Sequence, residues 1–185
     1  FNPQFIGGDR EEKVLGKVTI NGNAGIYVDS ATEFQAAVDA ATGVTNIRFA
    51  KDIEGLVTVV QKPGVKITID GCDKKYKGFI KVHSNSNHYA DAALTIKNIN
   101  FETSTPALNF IEALENGSER YSTNITAENC SFTATDAAVN TTVGLQIKAS
   151  KNAKVLNCTA TDMHSLIQAQ SCDETVVVNG CTING

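Results

Sequence analysis

The chain has 185 residues, 42% of them apolar, with 16 basic and 20 acidic side chains and a formal net charge of −4. That content supports one sizeable core in a single domain, and the lack of any cationic run argues against a nucleic-acid partner. No apolar stretch approaches the ~20 residues that cross a bilayer, so no membrane span is expected.

Val (16) and Ile (15) outnumber Leu (8), and Thr (19) and Asn (17) are abundant. β-branched residues suit pleated surfaces and Asn suits turns and left-handed bends, so the chain reads as β-rich. Its five cysteines include no CxxC pair, and the three histidines stand at no zinc-like spacing from them. Neither a metal site nor a full disulfide framework is expected. The chain opens at Phe1 without Met or an apolar leader, so any targeting segment is expected outside it.

In chain order, residues 1–29 form a Gly/Asn-rich lead with two possible strands, Val18-Thr-Ile20 and Ile26-Tyr-Val28. They read as cap strands or as a linker. Residues 30–185 then form one domain. Ser30-Ala-Thr-Glu33 is a capping box, followed by Phe34, Ala37, Val38 and Ala41 at helical spacing, with Gly43 as the stop. A cap helix over about residues 31–42 is predicted.

Beyond it the chain repeats. Ile67-Thr-Ile-Asp-Gly-Cys72, Leu94-Thr-Ile-Lys-Asn-Ile99, Ile125-Thr-Ala-Glu-Asn-Cys130, Ala153-Lys-Val-Leu-Asn-Cys158 and Val176-Val-Val-Asn-Gly-Cys181 share one pattern, spaced by 27, 31, 28 and 23 residues. Each alternates apolar and polar residues, as a half-buried strand does. The apolar phase then jumps at Gly71, Asn98, Asn129, Asn157 and Gly180. Gly and Asn enter the left-handed region most cheaply, so a bend is expected there, with a second strand through Phe101, Phe132, Ala160 and Ile183. A third segment recurs as Gly78-Phe-Ile-Lys-Val82, Ala107-Leu-Asn-Phe-Ile111, Gly144-Leu-Gln-Ile-Lys-Ala149 and Leu166-Ile-Gln-Ala-Gln170.

Three short strands per unit of about 27 residues describe a solenoid. Stacking would file Cys130, Cys158 and Cys181 as a buried row of free thiols and Asn98, Asn129 and Asn157 as an amide ladder. The last unit ends at Ile183-Asn-Gly185 without a closing helix. The domain is therefore expected to be truncated here, the natural chain continuing as a longer protein of which this is a fragment or one domain; if nothing follows, the uncapped coil is expected to associate end to end with another molecule.

Over about residues 45–185 these units resemble the right-handed parallel β-helix of the pectate-lyase-like superfamily. The resemblance implies an all-β, single-stranded parallel β-helix of about five to six coils and three parallel sheets, with an Asn ladder at one bend. In polysaccharide-active members, functional groups project from the first sheet of each coil. Here that outward row is read as Lys81, Asn109, Gln146, Lys148, Gln168 and Gln170, continued by His83. Such a strip suits hydrogen bonding to sugar hydroxyls.

The family's lyases use an Asp cluster with an Arg base, and its hydrolases use an Asp pair followed by a Gly-His-Gly turn. Neither set is matched, so no catalytic residue is assigned. Asp162 with His164 forms a weaker candidate pair in the turn before residues 166–170. Glu112, Glu115 and Asp136 are the one place where Ca²⁺ could be imagined, although solvated carboxylates fit them better and no cofactor is expected. Tyr76, Tyr89 and Tyr121 read as scattered turn residues, with platforms for stacking on sugars as the alternative. Asn116-Gly-Ser118, Asn124-Ile-Thr126 and Asn140-Thr-Thr142 match glycosylation sequons. Asp70, Lys97 and Glu128, like Thr68, Thr95 and Thr126, read as outward rows.

The expected function is an extracellular bacterial module, secreted or at the cell surface, that binds polysaccharide or assists its processing. Two alternatives accompany it: a structural or adhesive stalk, and a lyase or hydrolase whose active residues lie on coils outside this chain.

Overall fold

A computed structural model describes residues 17–20, 23–84, 88–113, 122–172 and 174–185. The chain winds through about 6 turns of a parallel β-solenoid. β1 (Lys17–Ile20) pairs antiparallel with β2 (Asn23–Val28), and α1 (Ala31–Asp39) follows. β3 (Val44–Phe49) and β4 (Ile53–Gln61) make the first full coil. β5 (Lys66–Ser84) runs round a whole coil by itself, and β6 (Ala93–Thr103) with β7 (Asn109–Ala113) makes the next. β8 (Ser122–Glu128), β9 (Ser131–Ala134) and β10 (Val143–Lys148) form another. β11 (Ser150–Leu156), β12 (Thr159–Thr161) and β13 (Ser165–Gln170) repeat it, and β14 (Val176–Asn179) and β15 (Thr182–Asn184) end the stack.

The strands stack in three parallel files. The first runs through β2, β3, β5, β6, β8, β11 and β14. The second joins the later parts of β5 and β6 to β9, β12 and β15. The third joins β4, the end of β5, β7, β10 and β13. Period-2 alternation aims one side chain in two at the axis. Ile69, Ile96, Ala127 and Val155 therefore lie above one another in register, all buried. The outward rows hold too: Arg48, Asp70, Lys97 and Glu128 are in register, as are Thr68, Thr95 and Thr126.

The bend between the first and second files is local chemistry. Asn98, Asn129 and Asn157 each sit at φ 52° and Gly180 at 65°, in the region where other L-residues are penalised by ~1–2 kcal/mol. The β5 coil departs from the predicted alignment. Its register passes from Asp70 opposite Lys97 to Lys74 opposite Ile99, so Gly71, Cys72 and Asp73 together face Asn98. Cys72 and Asp73, not Gly71, take positive φ (51° and 60°). Glycine is needed at 71 for closeness instead, because a Cβ there would strike the Asn98 carbonyl and Ile99.

That bulge also corrects Tyr76. It is in register with Phe101 and fully buried rather than in a turn. Ring centroids run Phe49–Tyr76 5.8 Å, Tyr76–Phe101 5.6 Å and Phe101–Phe132 5.0 Å, the last pair stacked at 13°. Phe34 of α1 meets Phe49 edge-on at 5.1 Å, tying the helix into the same aromatic column. Such pairs add roughly 0.5–1.5 kcal/mol each beyond area burial.

The expected amide ladder does not form. Asn98 donates to Asp70 Oδ1 at 3.0 Å, Asn129 and Asn157 are exposed, and no amide–amide bond joins the three among the described residues. The sulfur file does form. Cys130, Cys158 and Cys181 lie over the carbonyls of Ile96, Ala127 and Val155, one coil back, at 3.7, 3.7 and 3.5 Å. Cys130 and Cys158 are buried, Cys181 is half-buried, and all are free thiols.

The capping box is formed with a variation: Ser30 Oγ accepts from Glu33 N–H at 3.3 Å, while Glu33 reaches back to Asp29 N–H at 3.0 Å. The helix ends at Asp39, three residues short of the predicted bound. Thr45 Oγ1 accepts from Thr42 N–H and donates to its carbonyl, and this turn steers the chain into β3. The Gln35 amide accepts from Thr58 N–H at 2.8 Å and donates to Thr58 O at 2.9 Å, behaving like one more peptide along the β4 edge. At the other end Val178 and Ile183, in register with buried Val155 and Ala160, are 49% and 66% exposed.

Candidate functional site

The third file carries the candidate row. Thr58, Lys81, Glu112, Gln146 and Gln168 stand in register and face outward, opposite in phase to buried Ile80, Ile111 and Leu145. A second outward position pairs Val60 with His83 and Lys148 with Gln170. The residue in register with Lys81 is Glu112, not Asn109 as the alternation suggested. β7 starts at Asn109, and Phe110 and Ile111 are both buried, so the phase shifts by one.

Asn109 nevertheless reaches the row by its side chain. Its Nδ2 donates to Gln146 Oε1 at 2.6 Å and Glu112 Oε2 at 3.2 Å, and Gln146 Nε2 donates to Gln168 Oε1 at 3.1 Å. The result is a relay of carboxylate and amides across three coils. Each member is half-buried, so its χ angles are restrained while its edge meets solvent.

A groove borders the end of this row at Lys81, Asn109 and Glu112. Its first part, of about 260 Å³, lies between Phe79, Lys81, Asn109, Glu112 and the turn through Thr105 and Pro106. The Lys81 ammonium sits 5.5 Å from the Phe79 ring centroid. The second part, of about 440 Å³, shares Phe79, Thr105 and Leu108 with the first and extends to Glu54, Leu56, Glu102 and Asp136.

Two glycines give this cleft its floor. Gly55 and Gly78 face each other in register, and a Cβ on Gly78 would run into the Gly55 carbonyl. Gly55 sits at φ +137°, which only glycine adopts readily. The buried Tyr76 hydroxyl donates to the Gly55 carbonyl at 2.7 Å and anchors the floor from beneath. Burial pushes that phenol well above the usual tyrosine range.

The wall is the turn 104–108, where Ala107 takes φ 55° and its N–H donates to Thr141 Oγ1 at 3.1 Å. Glu102 is bound by Lys75 at 2.9 Å and Lys77 at 3.7 Å, and the Lys75 hydrogen bond holds its carboxyl below the ordinary glutamate value.

The other candidates lie apart. Asp162 and His164 occupy the turn ahead of β13, and no hydrogen bond joins their side chains to each other or to the row among the described residues. Their backbones stitch coils together: Asp162 N–H to Asn184 O, Asn140 N–H to Asp162 O and His164 N–H to Thr142 O, each at 2.9 Å. Glu115, Asn116 and Tyr121 fall outside the described residues. Among the described residues, no three His, Cys, Asp or Glu side chains gather closely enough to hold a metal ion. The Asn124 amide donates to Ala90 O and Ala92 O at 3.2 and 2.9 Å and is committed to the coil; Asn140 is exposed.

Sequence reasoning missed the cleft. Its signal was the pair Gly55 and Gly78, separated by one coil length, which removes side chains from two stacked strands at one level. Comparison with protein-family models, curated proteins and solved structures finds no match. The parallel coils support a β-helix fold and do not themselves assign a family.

Proposed function

We propose that this chain is a polysaccharide-binding β-helix module, exported to the cell surface or beyond. One observation carries the reading: the hydrogen-bonded row Glu112–Asn109–Gln146–Gln168 meets, at its Glu112 and Asn109 end, a groove whose two parts share Phe79, Thr105 and Leu108 and which also exposes Leu56. Sugar rings present vicinal hydroxyls at their edges and C–H faces above and below. Restrained amides and carboxylates beside apolar surface match both. A groove running across coils also suits a chain more than a single sugar.

A second reading, a rigid stalk, draws on the same bonds. Asn109, Gln146 and Gln168 already satisfy part of one another's hydrogen-bonding capacity without a ligand. A glycan microarray separates the two. The binding module retains defined glycans, and Gln146→Ala weakens that retention by about tenfold, the effect of losing roughly 1.4 kcal/mol of polar contact. A wild-type chain that retains no glycan supports the stalk.

A further inference from the structure

We infer that the groove is built for a glycan without acidic sugars, a neutral chain rather than a polyuronate. This rests on the polysaccharide-binding reading and narrows it. The groove's charges are unequally committed. Of its acidic groups, Glu102 is neutralised by Lys75 and Lys77, and Glu112 accepts from Asn109. Glu54 and Asp136 line the same cleft, are exposed, and have no ion pair among the described residues.

The lysines offset this only in part. Lys77 leans on Glu102, and Lys81 lies over the Phe79 ring. A polyuronate carries one negative charge per residue. Laid along the part of the cleft lined by Glu54, Glu102 and Asp136 it would meet one lysine, Lys77, already paired with Glu102, while Lys81 keeps its charge in the other part; the excess of carboxylates is a repulsive arrangement that discriminates by itself. The neutral surface between those carboxylates is what a neutral sugar meets: the Gly55–Gly78 floor, 46% exposed Leu56 and Phe79.

Native affinity electrophoresis tests this, with retardation measured against a polymer-free gel. The gels contain galactomannan, xyloglucan, mixed-linkage glucan or polygalacturonate. Wild type is expected to be retarded in at least one neutral gel and unretarded in polygalacturonate. The double variant Glu54→Lys/Asp136→Lys is expected to gain retardation in polygalacturonate, by about threefold to tenfold in apparent affinity, and to lose that gain at raised salt. Stronger wild-type retardation in polygalacturonate than in every neutral gel overturns the inference and leaves polysaccharide binding standing. No retardation in any gel overturns both.

Discussion

Gln61 and Thr123, 62 residues apart, exchange two hydrogen bonds: Gln61 Nε2 donates to Thr123 O at 2.6 Å, and Thr123 N–H donates to Gln61 Oε1 at 2.8 Å. Both residues are buried, at 5% and 3% exposure. The side-chain amide thus completes the peptide of a strand start three coils further on. Buried backbone groups without such a partner each cost about 1–3 kcal/mol.

Replacing Gln61 by Leu keeps the volume and strands both Thr123 groups. Urea unfolding of Gln61→Leu should therefore show a loss of about 2–4 kcal/mol. A change below 0.5 kcal/mol, itself the order of a surface substitution, would mean that water or another side chain replaces the amide.

The bend residues allow a paired comparison. Asn129 is exposed at φ 52°, so its side chain has little packing to lose. Asn129→Gly should be near neutral, whereas Asn129→Ala should lower stability by about 1 kcal/mol. Equal effects of the two substitutions would show that side-chain contacts, not backbone conformation, select asparagine there.

Asp70 governs part of the acid response. Burial raises its pKa. Hydrogen bonds from Asn98 and Cys72 N–H, then the charges of Arg48 at 3.1 Å and Lys97 at 3.9 Å, outweigh that, so the folded-state value is lowered. A carboxyl depressed on folding contributes stability that is complete above its unfolded pKa, ~3.9, and is lost as pH falls toward the folded value. Asp70→Asn should lower stability at neutral pH by about 1–3 kcal/mol and flatten the decline below about pH 4. Parallel acid limbs in wild type and variant would contradict this.

Thiol accessibility should divide the five cysteines. Cys130 and Cys158 are buried in the sulfur file, and the hydrogen bond with Cys158, together with burial, holds the Cys130 thiol above the ordinary range. Native protein treated with a thiol reagent at neutral pH should modify only Cys72, Cys172 and Cys181, with Cys130 and Cys158 reacting after denaturation. Rapid labelling of Cys130 in the native state would show that the stack opens between β9 and β12.

Much of this architecture was written locally. Alternation marked the strands, and Asn98, Asn129, Asn157 and Gly180 marked the bends, because a side chain's face and a backbone's left-handed turn depend on near neighbours. The Ser30–Glu33 cap was legible for the same reason. The candidate row was half legible: Lys81, Gln146 and Gln168 fall where alternation put them, while Glu112 replaced Asn109 once Phe110 and Ile111 both turned inward.

What only the tertiary structure decided was register between coils. The three residues Gly71–Asp73 opposite Asn98 moved Tyr76 from an apparent turn into the aromatic column. Gln61 found its partner three coils along the stack, and Gly55 met Gly78 to open the cleft. A one-residue offset costs nothing visible along the chain yet reverses which side chains face the axis. The stacked neighbours, through their packing and hydrogen bonds, select among the registers that local pattern leaves equal.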